Sequence, residues 1–322
     1  MKTISPAIST PTAHAHARGA AFFRALLETT KPGIARLVAF TSLAGFVVAA
    51  LGRSTIDAGL IVTAIGCAVG TVLAAGGANA LNMWFEGGRD RVMHRTASRP
   101  IPSGRVGDVA VLLWGSSLTA LGVLTLLVST GPAPALLALA SAALYVLVYT
   151  PLKTITPWCT VIGAIPGALP TLIGAAAAAP ESGLAPILAP FGLAIFALLF
   201  VWQMPHFFAL AWMYRDDYAK GGMKMLTVVD PTGHRAGRAS LVWATLLIPA
   251  TIAPAFASPV LGAPYAVIAG ATSAAFLWMV IAFAKEPTKA TGRRVFFGSI
   301  AHLPLLLVVM LMESTVRALL GA

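Results

Sequence analysis

The chain has 322 residues, of which 58% are hydrophobic and only 10% charged, and its formal net charge is +11. A soluble domain carries about 25% charged residues, and at a mean hydropathy of +0.84 this chain lacks the polar surface that water-facing cores require. A soluble globular protein is excluded, and a polytopic protein surrounded by the lipid bilayer remains.

In chain order, the first twenty residues are rich in Ala, Pro, Ser, Thr and His and lack an apolar run long enough for the core of a signal peptide. Residues 1–27 are expected to form a disordered cytoplasmic tail, and residues 28–322 a transmembrane domain. A spanning helix needs about 20 mostly apolar residues. Such runs lie at 34–51, 60–83, 108–128, 133–150, 158–178, 187–213, 239–258, 263–284 and 296–316. The fold class expected is therefore all-α, with about nine transmembrane helices. Pro166 and Pro170 predict a kink in the fifth. Cys67 and Cys159 stand alone in apolar stretches and read as packing residues.

Charge tests this map independently, because Lys and Arg collect on the cytoplasmic side of membrane proteins. With the N-terminus in the cytoplasm, nine spans place every Lys and Arg on that side except Arg53 and Arg317. Most of the net charge is thus a topology signal. No groove-reading or stacking element accompanies it, which argues against a nucleic-acid partner.

The connections at about 84–107 and 214–238 are long and hold nearly all the polar chemistry, and long loops in compact proteins are commonly functional. Entering the first, Asn82, Glu86 and Asp90 are spaced i, i+4, i+8 and line one stripe if the helix continues; Gly87-Gly88 is where it would break. Carboxylates near lipid are costly unless paired, and a divalent cation would relieve them. Arg91, His94, Arg95 and Arg99 follow, a set suited to an anionic phosphate. The bland alternative is a helix end whose charges snorkel into water. In the second loop, Asp216 and Asp217 stand with Arg215, Lys220 and Lys224 beside Gly221-Gly222. His206 lies eleven residues before Asp217, near the same face of a continued helix and roughly 16 Å deeper. It sits among Trp202, Phe207, Phe208 and Trp212. An ionisable residue within a span is a functional candidate, and His302 in the last span is a second.

Asn82-x-x-x-Glu86-x-x-x-Asp90, continuing through Met93, Arg95-Thr96 and Arg99-Pro100, resembles the first signature of the UbiA-type intramembrane prenyltransferases. The pattern is similar to the branch of that family that farnesylates heme. Trp202 to Phe208, Tyr214 to Tyr218, Tyr149-Thr150 with Lys153, and Lys31-Pro32 resemble it too, so the likeness covers about residues 28–315. Three departures stand out: Glu86 replaces the family's usual Asp, Asp216 and Asp217 are adjacent rather than spaced, and Gly87-Gly88 replaces larger polar residues.

The resemblance implies a bundle around a central cavity, mouth to the cytoplasm, in the bacterial inner membrane. It implies Mg²⁺ as cofactor, farnesyl diphosphate as donor and heme b as acceptor rather than prosthetic group. Asn82, Glu86, Asp90, Asp216 and Asp217 would be catalytic, with Glu86, Asp90, Asp216 and Asp217 on the metal. Lys31, Arg95, Arg99, Lys153, Arg215 and Lys220 would bind the diphosphate, and His206 and His302 the heme. A downstream heme-modifying enzyme or terminal oxidase assembly is the implied partner. Two readings compete: an aromatic acceptor, and a secondary transporter, whose binding groups would sit nearer the bilayer midplane.

Overall fold

The computed structural model describes residues 11–53, 57–179 and 181–321, and every regular element among them is helical. A leading helix, α1 (Pro11–Thr29), precedes the spans. Among the described residues nine helices are long and apolar enough to cross a membrane: α2 (Pro32–Leu51), α3 (Gly59–Asp90), α4 (Asp108–Thr130), α5 (Pro132–Leu152), α6 (Cys159–Ala178), α7 (Pro190–Met213), α9 (His234–Ala257), α10 (Ala263–Lys285) and α11 (Lys289–Leu320). Between α7 and α9 lies the short α8 (Arg215–Lys220).

The tail differs from expectation. Residues 1–10 lie outside the described residues, but Pro11–Thr29 is helical rather than disordered. The reason is an apolar face that finds partners: Ala25 and Leu26 are buried with Ala80 and Met83 of α3 and Val111 of α4. Phe23 meets the Trp114 ring edge-on at 6.1 Å, and Arg105 grips Glu28 with two hydrogen bonds of 2.6 and 2.9 Å.

Helix α6 is the axis of the bundle, with every residue from Ala168 to Ala178 buried. Its small residues let neighbours approach closely, which is how helices gain contact in lipid. A side chain at Gly174 would run into the Ser42 carbonyl of α2, and one at Gly45 of α2 into the Thr171 carbonyl. The prolines do not break α6. Pro170 has no N–H for the Pro166 carbonyl, and the Ser141 hydroxyl of α5 donates to it instead at 3.0 Å. A cavity of about 30 Å³ lies between α2, α3, α5 and α6, lined by Val38, Thr71, Ala78, Ser141 and Pro170 among others.

Outward faces are apolar: Ile61, Val62, Leu121, Val128, Phe256 and Trp278 are all exposed, the surface a lipid-embedded protein presents. The two arginines on the far side are tied down. Arg317 pairs with Glu313 at 2.8 Å, and Glu313 also accepts from the backbone N–H of Tyr265. Arg53 donates to the carbonyl of Ala178 at the end of α6, where a cation offsets the helix dipole.

Candidate active site

Helix α3 runs without interruption through Gly87 and Gly88 to Asp90, so Asn82, Glu86 and Asp90 do share one stripe, and all three are buried. Gly87 serves the loop instead. The chain after α3 folds back so tightly that a Cβ at Gly87 would come within 2.8 Å of Ile101.

Each member of the stripe holds one cation. Lys31, from the turn between α1 and α2, donates to Asn82 Oδ1 at 2.9 Å. Lys153, just beyond α5, donates to Glu86 Oε1 at 2.8 Å. Arg99, from the first loop, donates to Asp90 Oδ2 at 2.7 Å. Burial, helped by the positive charges of Arg99 and Lys153, pulls the Lys31 ammonium down to about 7. Burial works hardest against the Lys153 ammonium, but the charge and hydrogen bond of Glu86 together with Tyr145 and Tyr218 oppose it, and the net direction is up. The second oxygen of the Asp90 carboxylate, Oδ1, is buried without a hydrogen-bond partner.

The wall opposite is built by a π-helical segment in α5, Leu144–Tyr149. Such segments insert a residue and re-aim side chains, often at functional sites. Here Tyr145 and Tyr149 stack with centroids 5.6 Å apart, the Tyr145 hydroxyl donates to Asn82 Oδ1 at 3.4 Å, and Lys153 Nζ lies 4.5 Å from the Tyr149 centroid. Asn82 Nδ2 donates to Thr150 Oγ1, whose hydroxyl donates to the Tyr145 carbonyl. Tyr145 was not singled out from the sequence. The signal was the spacing Tyr145, Tyr149, Lys153 at i, i+4, i+8, the same period as the acidic stripe.

The second loop covers the first. Helix α7 ends at Met213, and α8 starts after a break at Tyr214, so His206 and Asp217 do not share a continuous helical face. Asp217 accepts the backbone N–H of Arg95 at 3.3 Å, and the Arg95 guanidinium lies over the rings of Tyr214 and Tyr218. Lys224 N–H donates to the Lys153 carbonyl at 2.6 Å. Asp217 therefore faces the first loop, whereas Asp216 is exposed beside Arg215 at 3.5 Å and is not brought to the stripe. Lys220 is exposed, and Arg215 is spent on the Trp212 ring and the Pro231 carbonyl.

The two histidines lie elsewhere. His206 Nδ1 is 2.8 Å from Ser299 Oγ of α11, and its ring is stacked with Trp202 and Phe296 at 5.1 and 4.9 Å. His302 Nε2 is 3.2 Å from Ser273 Oγ of α10, its ring stacked on Phe276. None of these contacts involves the acidic stripe.

Among the described residues no three His, Cys, Asp or Glu side chains converge as a ready-made metal cluster. The donor set nonetheless fits a hard cation. Mg²⁺ takes one or two carboxylates and completes its shell with phosphate oxygens and water, and Asn82, Glu86 and the orphaned Oδ1 of Asp90 are oxygen donors along one line.

Comparison with known proteins gives the family and the fold. Residues 38–303 match the UbiA prenyltransferase family. The protoheme IX farnesyltransferase of Solibacter usitatus is 40% identical over 245 residues, 76% of this chain and 82% of its own. That of Salinibacter ruber is 38% identical over 288 residues, 89% of this chain and 97% of its own. Among solved structures, a digeranylgeranylglyceryl phosphate synthase superposes with a TM-score of 0.73 at 16% identity, covering 91% of this chain and 98% of its own. A UbiA homolog from Archaeoglobus fulgidus bound to DMAPP and Mg²⁺ gives 0.61 at 13% identity, covering 88% and 97%.

Proposed function

Because the chain belongs to the UbiA prenyltransferase family, we propose that it transfers the farnesyl group of farnesyl diphosphate to a vinyl group of heme b. The observation that carries this is the buried stripe Asn82, Glu86, Asp90 with one cation, Lys31, Lys153 or Arg99, on each member. Asn82, Glu86 and Asp90, with Asp217 across the loops, would hold Mg²⁺, which when bound neutralises a diphosphate and makes it a better leaving group. Lys153, Arg99 and Lys31 turn from the stripe to the diphosphate oxygens, and positioned cations of this kind stabilise charge as it develops on a leaving group. As the C1–O bond breaks, the stacked faces of Tyr145 and Tyr149 favour the allylic cation beside them. The vinyl π-electrons form the new C–C bond. Water adds to the resulting cation and loses a proton, giving heme o and pyrophosphate.

His206 is the heme-orienting residue in this reading. Ser299 engages Nδ1, which leaves Nε2 as the nitrogen for iron, and Trp202 and Phe296, stacked on the imidazole, fix the plane of its ring. The distribution of basic residues supports a site at the cytoplasmic face of the inner membrane, and the product passes to an enzyme or oxidase that uses modified heme. The test is turnover by purified protein in detergent with heme b, farnesyl diphosphate and Mg²⁺, with EDTA as control and mass spectrometry of the pigment. A Mg²⁺-dependent hydroxyethylfarnesyl heme is the expected product. Unchanged heme with folded protein, and prenylation of a hydroxybenzoate instead, would move the chain to an aromatic acceptor.

A further inference from the structure

Lys31 reaches the site through a backbone that an L-residue rarely adopts. Its φ is 50° and ψ 67°, and it alone among the described non-glycine residues has a positive φ. The following residue is Pro32, which further restricts the backbone before it. Strain of this kind persists only where the surroundings over-determine it. The surroundings are on α3. Gly76 leaves room for Thr30, whose Cβ would be 3.3 Å from a side chain there. One turn on, Asn79 Nδ2 donates to the Thr30 carbonyl at 3.2 Å, and one turn further Asn82 receives the Lys31 ammonium. Asn79 is itself 5% exposed, so its carboxamide is committed inside the protein. We propose that Asn79 is a positioning residue: by gripping the Thr30 carbonyl it holds the left-handed turn that delivers Lys31 to the head of the acidic stripe. The inference rests on the reading of Lys31 as a diphosphate-binding cation.

The test is a double-mutant cycle on the full chain in detergent, read by calorimetric binding of inorganic pyrophosphate with Mg²⁺, which needs no turnover. Lys31→Met should weaken binding about tenfold by removing the cation. Asn79→Ala should weaken it about tenfold, the low end for an outer residue that orients a ligand, and an unaltered affinity overturns the proposal. The double variant should bind no worse than Lys31→Met alone, because Asn79 acts only through Lys31. If the two losses multiply, Asn79 acts by another route and the proposal fails. An unaltered affinity in Lys31→Met sinks the reading of Lys31 itself, a distinguishable outcome. Should Asn79→Ala not accumulate as folded protein, Asn79→Gln takes its place in the cycle and is judged by the same criterion.

Discussion

At the scale of single residues, the site is a set of charges in a place where unpaired charge is costly. Glu86 and Lys153 are both buried and bonded at 2.8 Å. Breaking a buried pair by removing one partner typically costs about 3–5 kcal/mol, whereas replacing both is often nearly neutral. Lys153→Met should therefore lower the melting temperature sharply, and adding Glu86→Gln should restore most of it while turnover stays abolished. A double variant with full activity would show the pair to be structural only. Lys31 gives a pH signature. Burial leaves its ammonium half neutral near pH 7, and an anionic donor favours the charged form. Donor binding must then take up a proton above pH 7 but not well below it, so donor KM should rise as pH increases from about 6 to 9. Arginine stays charged across that range, so Lys31→Arg should flatten the profile, and a rise of the same steepness in that variant would assign the titration to another group.

At the scale of helices, the spans were legible because a bilayer demands about twenty apolar residues whatever the tertiary contacts. Their ends were not. Helix α3 continues to Asp90 although its apolar run stops at 83, and α11 begins at Lys289 rather than at 296. Outside the hydrocarbon a helix needs no hydropathy, so composition falls silent where the site begins. The acidic stripe could still be read from its period. The break at Tyr214 could not, and it detaches His206 from Asp217. The turn that carries Lys31 and the π-helical segment that aims Tyr145 left no trace in hydropathy, because the first is set by packing on α3 and the second packs on α6 as well as α3, its Tyr149 ring seated against Gly163. Helix crossings are testable at this scale. Gly174 of α6 lies against the Ser42 carbonyl of α2, and α2 begins at the Lys31 turn. Gly174→Leu should force the helices apart at a cost of about 1–3 kcal/mol or more, seen as a lower melting temperature and weaker pyrophosphate binding. An unchanged melting temperature would mean that the crossing is not a stabilising contact.

At the scale of the whole molecule, the polar chemistry divides between two sides of α6. Lys31, Asn82, Glu86, Asp90 and Lys153 come from the α2, α3 and α5 side, whereas His206, Ser299 and the rings stacked with His206 belong to α7 and α11. On the proposed reading the anionic donor lies on one side and the flat acceptor on the other, so the two affinities should respond to mutation separately. His206→Ala should abolish the heme spectral signature of an axial histidine and leave Mg²⁺-pyrophosphate binding intact. Ser299→Ala keeps the imidazole but frees Nδ1, so heme affinity should fall by about 10-fold, in the lower range for a lost orienting partner. Asp90→Asn should do the reverse, weakening pyrophosphate binding while the heme spectrum stays unchanged. If His206→Ala leaves the spectrum unaltered, the acceptor does not sit against α7 and α11. Loss of both affinities in one variant would instead mean that α6 couples the two sides, and that donor and acceptor share a single pocket.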